Sequence, residues 1–196
     1  MRIIAGEAKG RRLESVKGMG TRPTSDKVKG AIFNIIQNRI EGSLVLDLFA
    51  GTGNLGLEAI SRGSRKAVFV EKDRKVISVL NKNRKALGYI DKTEVIARDV
   101  LKALTGLSKR DILFDIIFID PPYHKGYNEL VLDAVDRAEI LQRDGIIIIE
   151  HDKNVLPAER VGSLVRFDLR IYGGTGISFY RKDWDRNENS SLSRKL

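Results

Sequence analysis

Cysteine is absent from the chain, which excludes disulfides, thiolate zinc sites, iron–sulfur clusters and any thiol nucleophile. Chemistry that needs a cysteine adduct or a cluster-borne radical goes with them. Histidine is scarce: only His124 and His151 occur, too few for a histidine-rich metal site, so no metal is expected. Long apolar runs are missing too. The longest purely aliphatic one, Ile146 to Ile149, falls far short of the roughly 20 residues that span a bilayer. The amino terminus, Met1-Arg2-Ile3-Ile4-Ala5-Gly6, turns polar before a secretory core can build up. A cytoplasmic protein without membrane contact is expected. Acidic residues are in deficit, 26 against 35 Lys and Arg for a net charge of +9. Such an excess favours a polyanionic partner, because each cation placed on a phosphate releases condensed counterions. Basic proteins without such a partner are also common, so charge alone decides nothing.

What is present is globular: 42% hydrophobic and 31% charged residues in 196, the size of one ordinary domain. Residues 1–20 read as a basic hairpin or extended arm, with Ile3, Ile4 and Leu13 flanking Gly6, Gly10 and the cluster Lys9, Arg11, Arg12. Residues 21–183 form the main domain, and 184–196 a polar tail. Thr24 or Ser25 can cap a helix that Asp26 begins. Val28, Ile32, Ile35 and Ile36 with Phe33 form its apolar face. From Leu44 onward strands alternate with helices. Leu44–Phe49, Ala67–Val70, Thr93–Ala97, Phe114–Ile119 and Gly145–Glu150 are the strands, and Gly88 ends the second intervening helix. That alternation predicts a parallel sheet covered on both faces, an α/β fold. Leu164–Tyr172 and Ile177–Arg181, joined through Gly173-Gly174-Thr175-Gly176, read as an antiparallel edge pair.

Chemistry concentrates at the carboxyl ends of the strands. In Asp47-Leu48-Phe49-Ala50-Gly51-Thr52-Gly53-Asn54-Leu55-Gly56 the glycines permit a tight turn from strand to helix and close approach of a ligand. Gly51, Gly53 and Gly56 also fit a dinucleotide fingerprint. Asp47 separates the readings. A carboxylate there repels a pyrophosphate but attracts the ammonium of a methionine moiety, directly or through water, which favours S-adenosylmethionine over NAD. Glu71, followed by Lys72, can accept both hydroxyls of a ribose, a feature common to both ligands. Asp99 can accept from an adenine amine while Val100 offers its N–H; equally, Asp99 can simply cap the helix that follows.

The most specific element is Asp120-Pro121-Pro122-Tyr123, closing the apolar strand 115–119. Two prolines make a stiff loop with outward carbonyls. An amine on a base ring is a poor nucleophile, because its lone pair is delocalised. Asp120 and the Pro121 carbonyl can each accept one of its N–H groups, turn the lone pair toward a sulfonium methyl and stabilise the charge that develops on nitrogen. Tyr123 offers a face for stacking an extruded base. His124 is more simply a loop residue than a catalyst. Lys125 and Tyr127 can meet phosphate or base, or merely start a surface helix.

With these motifs in order the chain resembles the RsmD family of bacterial methyltransferases, which modify guanine N2 in 16S ribosomal RNA. The resemblance runs from Met1 to about Arg181. It is carried by Thr21-Arg22-Pro23-Thr24-Ser25-Asp26-Lys27-Val28, Ile32-Phe33-Asn34, Asp47 to Gly53, Leu57-Glu58-Ala59-Ile60-Ser61-Arg62-Gly63, Phe69-Val70-Glu71, Asp120 to Tyr123, and Tyr172 to Tyr180. It implies a Rossmann-like methyltransferase fold with a seven-stranded, mostly parallel sheet whose last strand is reversed, and an N-terminal β-hairpin extension. Phe49, Ala50, Gly51, Thr52 and Gly53 are then cofactor contacts beside Asp47, Glu71, Lys72, Asp99 and Val100. Lys9, Arg11, Arg12, Arg22, Thr24 and Lys125 are RNA contacts. The substrate is an assembling 30S particle, and the enzyme a monomer. Gly30 departs from the pattern, where a Glu is expected, and Gly174 and Gly176 loosen the last turn.

Three other functions compete. An NAD-linked oxidoreductase leaves Asp120 to Tyr123 unexplained. A DNA amino-methyltransferase acting on adenine N6 or cytosine N4 uses the same Pro-Pro chemistry but needs a target-recognition domain for which the chain has no room. A non-catalytic RNA-binding module has no use for Asp47, Glu71 and Asp120 together.

Overall fold

A computed structural model describes residues 1–16, 25–121 and 126–183. Gly18, Gly20, Arg22, Thr24, Pro122, Tyr123, His124, Lys125 and the 184–196 tail lie outside the described residues.

The apolar runs become strands because every residue along them can be buried: β1 (Leu44–Asp47), β2 (Lys66–Glu71), β3 (Thr93–Ala97), β4 (Phe114–Ile119) and β5 (Leu141–Asp152). Along β4 and β5 the side chains alternate between two cores. Ile116, Phe118, Ile146 and Ile148 face one, and Ile117, Ile119, Ile147 and Ile149 the other. Burial on both faces is what turns an alternating pattern into a continuous apolar run. Helices α1 (Asp26–Ile35), α2 (Asn54–Ser61) and α3 (Arg74–Leu87) cover the first face, and α4 (Val100–Leu107) and α5 (Tyr127–Ala138) the second. Ser25, one of the two expected caps, caps α1 by accepting from the Val28 N–H, and Gly88 ends α3 as expected, in the left-handed region at φ 75°. Asp73 caps the start of α3.

β6 (Arg160–Val161), β7 (Leu164–Tyr172) and β8 (Thr175–Lys182) complete one sheet in the order β3-β2-β1-β4-β5-β8-β7-β6. The first five strands run parallel, and β8 is antiparallel to both β5 and β7. Three expectations need correction. The sheet has eight strands rather than seven, because the two-residue β6 adds to the edge. The final hairpin is the expected antiparallel pair at this edge, with β8 as its inner strand against β5 and only β6 beyond β7. Its turn is Gly173-Gly174 alone, because β8 already begins at Thr175. Gly176 lies within β8, where a side chain would come within 2.2 Å of the His151 ring. It makes room for that buried histidine, whose Nε2 meets Ser178 Oγ at 2.9 Å. On α1, Ile35 is exposed rather than part of the apolar face, and Lys29 is buried in its stead.

The N-terminal segment folds back on itself through an Arg2–Arg12 bridge and packs its apolar side down: Ile3 and Leu13 belong to the core under α1 to α3. Lys9, Arg11 and Arg12 stay on the outside. Gly6 touches α2 so closely that a Cβ would lie 1.7 Å from Ser61 O. Gly56 is equally tight, with a Cβ 2.2 Å from Phe69 Cε1 on β2. Gly56→Ala is therefore expected to cost about 1–3 kcal/mol by overpacking, measured by denaturant titration. Adding Phe69→Leu should recover part of that loss; equal instability of the two variants would show that α2 does not depend on this contact.

Candidate active site

The strand order reverses between β1 and β4, and the crevice at such a point, outside the carboxyl ends of the strands, is where open α/β sheets bind ligands. Here that edge carries a row of carboxylates. Register places them: Asp47 pairs with Phe69 of β2 and Phe118 of β4, Glu71 pairs with Ala97 of β3, and Asp99 and Asp120 follow their strands within two residues. Asp99, Glu71, Asp47 and Asp120 thus stand at the ends of four neighbouring parallel strands.

The turn after β1 is clamped from both sides. Leu48 N–H donates to Phe118 O (3.0 Å) and Ala50 N–H to Val70 O (3.1 Å). Gly51 has open space where a Cβ would point, and its N–H donates to Glu71 Oε2 at 3.1 Å. Gly53, at φ 92°, is the N-cap of α2 and adds no side chain there. Glu71 also takes the N–H groups of Lys72 (2.8 Å) and Asp73 (2.9 Å) on Oε1, which fixes its carboxylate at the rim. Phe49 and Tyr127 meet edge to face, ring centroids 6.0 Å apart. Burial raises the Tyr127 pKa and the charge of Asp99 adds to the rise, so the start of α5 lies close to Asp99.

Asp47 sits deep behind the turn. It is 2% exposed, and its Oδ2 accepts the Gly56 N–H at 3.1 Å. Its carboxylate holds the turn from behind. Burial pushes its pKa up to about 7, with the charge of Glu71 adding to the rise and the N–H groups of Gly56 and Phe49 opposing it. Asp99 realises the capping alternative, taking the Leu101 N–H on Oδ1 at 3.1 Å. A carboxylate has a second oxygen, so capping does not preclude a ligand. Asp120 is half-buried and Pro121 buried where β4 ends. Among the basic residues, Arg11 lies along α3, its Nη2 donating to Ala86 O at 2.7 Å. Arg12 and Lys9 are exposed.

Several residues around the turn escaped the sequence reading. Lys29 Nζ donates to Arg2 O (2.6 Å) and to Asn54 Oδ1 (2.8 Å) at the first position of α2. It also pairs with Glu58 at 3.2 Å, both side chains being fully buried. Burial lowers the Lys29 pKa, and Glu58 works against that. Asn83 of α3 donates to Thr52 O at 2.9 Å. The signal for Lys29 was its place at the head of the stripe Lys29, Ile32, Phe33, Ile36, a polar residue on an apolar face. Asn83 gave none, because its partners are backbone atoms distant in sequence.

A family model described as "Conserved hypothetical protein 95" matches residues 1–181. YlbH of Bacillus subtilis is 43% identical over 182 residues, covering 93% of this chain and 99% of its own. The ribosomal RNA small subunit methyltransferase D of Haemophilus influenzae is 37% identical over 155 residues, covering 79% and 80%. The solved structure of yhhF from Escherichia coli superimposes with a TM-score of 0.82 at 30% identity, covering 93% of this chain and 98% of that one.

Asp47 makes a test by titration. A carboxylate at 3.8 unfolded and about 7 folded binds its proton more tightly in the native state, so its contribution is full below about pH 4 and is lost as pH rises toward 7. The loss is of the order of 4 kcal/mol. Denaturant titrations at pH 5 and pH 8 should show Asp47→Asn escaping a decline that the parent suffers; parallel declines would mean that Asp47 ionises normally.

Proposed function

The chain belongs to the Conserved hypothetical protein 95 family, that of the RsmD methyltransferases, and from that membership we propose that it methylates the exocyclic N2 amine of a guanine in small-subunit ribosomal RNA. The observation that carries this is one adjacency. The Asp120–Pro121 end of β4 lies beside the glycine turn of β1, across the point where strand order reverses. A donor bound over the turn and an amine held at Asp120 then share one crevice.

The cradle suits S-adenosylmethionine, which when bound supplies an activated methyl group. Glu71 takes the ribose hydroxyls, with Lys72 beside it, and Asp99 with the Val100 N–H takes the adenine edge. Phe49, Ala50, Gly51, Thr52 and Gly53 present backbone to the remainder, and Asp47 behind them favours an ammonium. Asp120 and the Pro121 carbonyl accept the two N–H groups of the guanine amine, hold its lone pair toward the donor and stabilise positive charge on nitrogen. Pro122 stiffens that loop and Tyr123 stacks on the base. Lys9, Arg11, Arg12, Arg22, Thr24 and Lys125 contact the RNA. An enzyme of this kind works as a monomer in the cytoplasm on an assembling 30S particle.

Asp120→Ala should lower methyl transfer about 100-fold or more while calorimetry with S-adenosylmethionine stays close to the parent. Equal loss of both would move Asp120 to the cofactor. Replacing Arg11 and Arg12 with Ala should weaken binding to 16S RNA and reduce the slope of log affinity against log salt by about one to two; an unchanged slope would remove the arm from the interface. Mass spectrometry of ribosomal RNA from cells with and without the gene reads the modified guanine directly.

A further inference from the structure

The N-terminal arm and the glycine turn are far apart in sequence, yet two buried side chains join them, one at each end of the arm. Near its start, Lys29 Nζ donates to Arg2 O and to Asn54 Oδ1. Near its end, Asn83 accepts the Glu14 N–H on Oδ1 (2.8 Å) and donates through Nδ2 to Glu14 O (3.1 Å) and Thr52 O (2.9 Å). Thr52 and Asn54 bracket Gly53, the N-cap of α2. The exposed Arg12 and Lys9 project from the chain between these two clips. Neither clip is a surface accident, since Lys29 is 0% and Asn83 3% exposed. Breaking either leaves a polar group buried without its partner, which the fold resists.

We propose that Lys29 and Asn83 are positioning residues that couple the arm to the turn, so that cofactor seated on residues 51–53 orders the arm for RNA, and RNA held by the arm tightens the turn on cofactor. This inference rests on the functional reading above and adds to it how the two binding events communicate. Neither residue touches a reacting atom. Lys29 acts through Asn54 and Asn83 through Thr52 O. The coupling is reciprocal, as linkage between two ligands must be.

The test uses the full chain, S-adenosylhomocysteine and an unmethylated 16S RNA transcript. In the parent, saturating S-adenosylhomocysteine should slow amide exchange at both ends of the arm, at Ile3 to Ala5 and at Leu13 to Glu14. It should also tighten RNA binding about fivefold. Lys29→Met should lose the slowing at Ile3 to Ala5, and Lys29→Arg should restore it. Asn83→Asp keeps an acceptor for the Glu14 N–H but no donor for Thr52 O, so it should lose the slowing at Leu13 to Glu14. In each clip variant the KM for cofactor should rise about fivefold while kcat changes little. Exchange that speeds up equally with and without ligand, or an RNA affinity in the parent that ignores S-adenosylhomocysteine, would overturn the coupling even though methyl transfer itself is intact. Failure of the parent to bind S-adenosylhomocysteine would instead sink the proposed function, and the coupling with it.

Discussion

Glu58 is the group on which the arrangement around the site depends. Its carboxylate is fully buried and accepts four donors: Oε2 takes the Ile4 N–H at 2.8 Å and lies 3.2 Å from Lys29 Nζ, while Oε1 takes the Ala5 N–H at 3.0 Å and Arg62 Nε at 2.8 Å. Through one residue of α2 the N-terminal arm, α1 and α2 itself are fixed relative to one another. Burying a charge costs several kcal/mol unless partners satisfy it completely. Here both oxygens are satisfied, so the dominant effect is directional: no other placement of the arm answers the buried carboxylate. An apolar residue at 58 would fill the same space with less desolvation, but it would leave the Ile4 and Ala5 N–H groups without their acceptor. The Arg62 guanidinium, 4.7 Å from the Phe33 ring centroid, carries the same constraint on to the face of α1.

Much of this was legible in the chain as written. β3 and β4 run over the residues that the apolar runs marked, Thr93–Ala97 and Phe114–Ile119. Ser25 and Gly88 cap the helices they were expected to cap. Such features depend on neighbours along the chain, and period and capping chemistry report on neighbours. The misses have a different origin. The short β6 depends on which edges meet in space, and no local period encodes that. Ile35 shares the helical spacing of Ile32 and Ile36 yet points to solvent, because the sheet covers a narrower stripe of α1 than the pattern allowed. Asn83 has its partners in other elements and nothing in the chain marks it, while Lys29 shows only as a polar residue at the head of an apolar stripe.

Within the candidate site the same division holds. Asp47, Glu71, Asp99 and Asp120 were visible because each ends a strand, and parallel register then brought the four ends together. Their individual surroundings were not visible. Asp47 was read as attracting an ammonium, directly or through water; it is buried behind the turn and accepts from Gly56. At a pKa of about 7 its charge is only partly developed near neutrality. An ammonium arriving at the turn would draw the proton off and lower that pKa, so the energy of burying the carboxylate is partly returned on binding.

The Asp120 end obeys the opposite logic. A base amine conjugated to its ring resists attack on an electrophile, and nothing in an α/β sheet makes it more nucleophilic except geometry. Two acceptors at fixed separation can hold both N–H groups and so dictate where the lone pair points. Fixing them requires firm support, and in the proposed reading Asp120 and Pro121 draw it from the end of β4. β4 is buried along Ile116 to Ile119 and braced by hydrogen-bonded strands on both sides, β1 and β5. The glycine turn is anchored to the same strand through Phe118 O. The glycine turn and the Asp120–Pro121 end of β4 therefore rest on one support, a pair of adjacent parallel strands about 4.8 Å apart. That shared support, rather than any single side chain, is what would let a methyl donor on the turn and an amine at Asp120 meet in the proposed reaction.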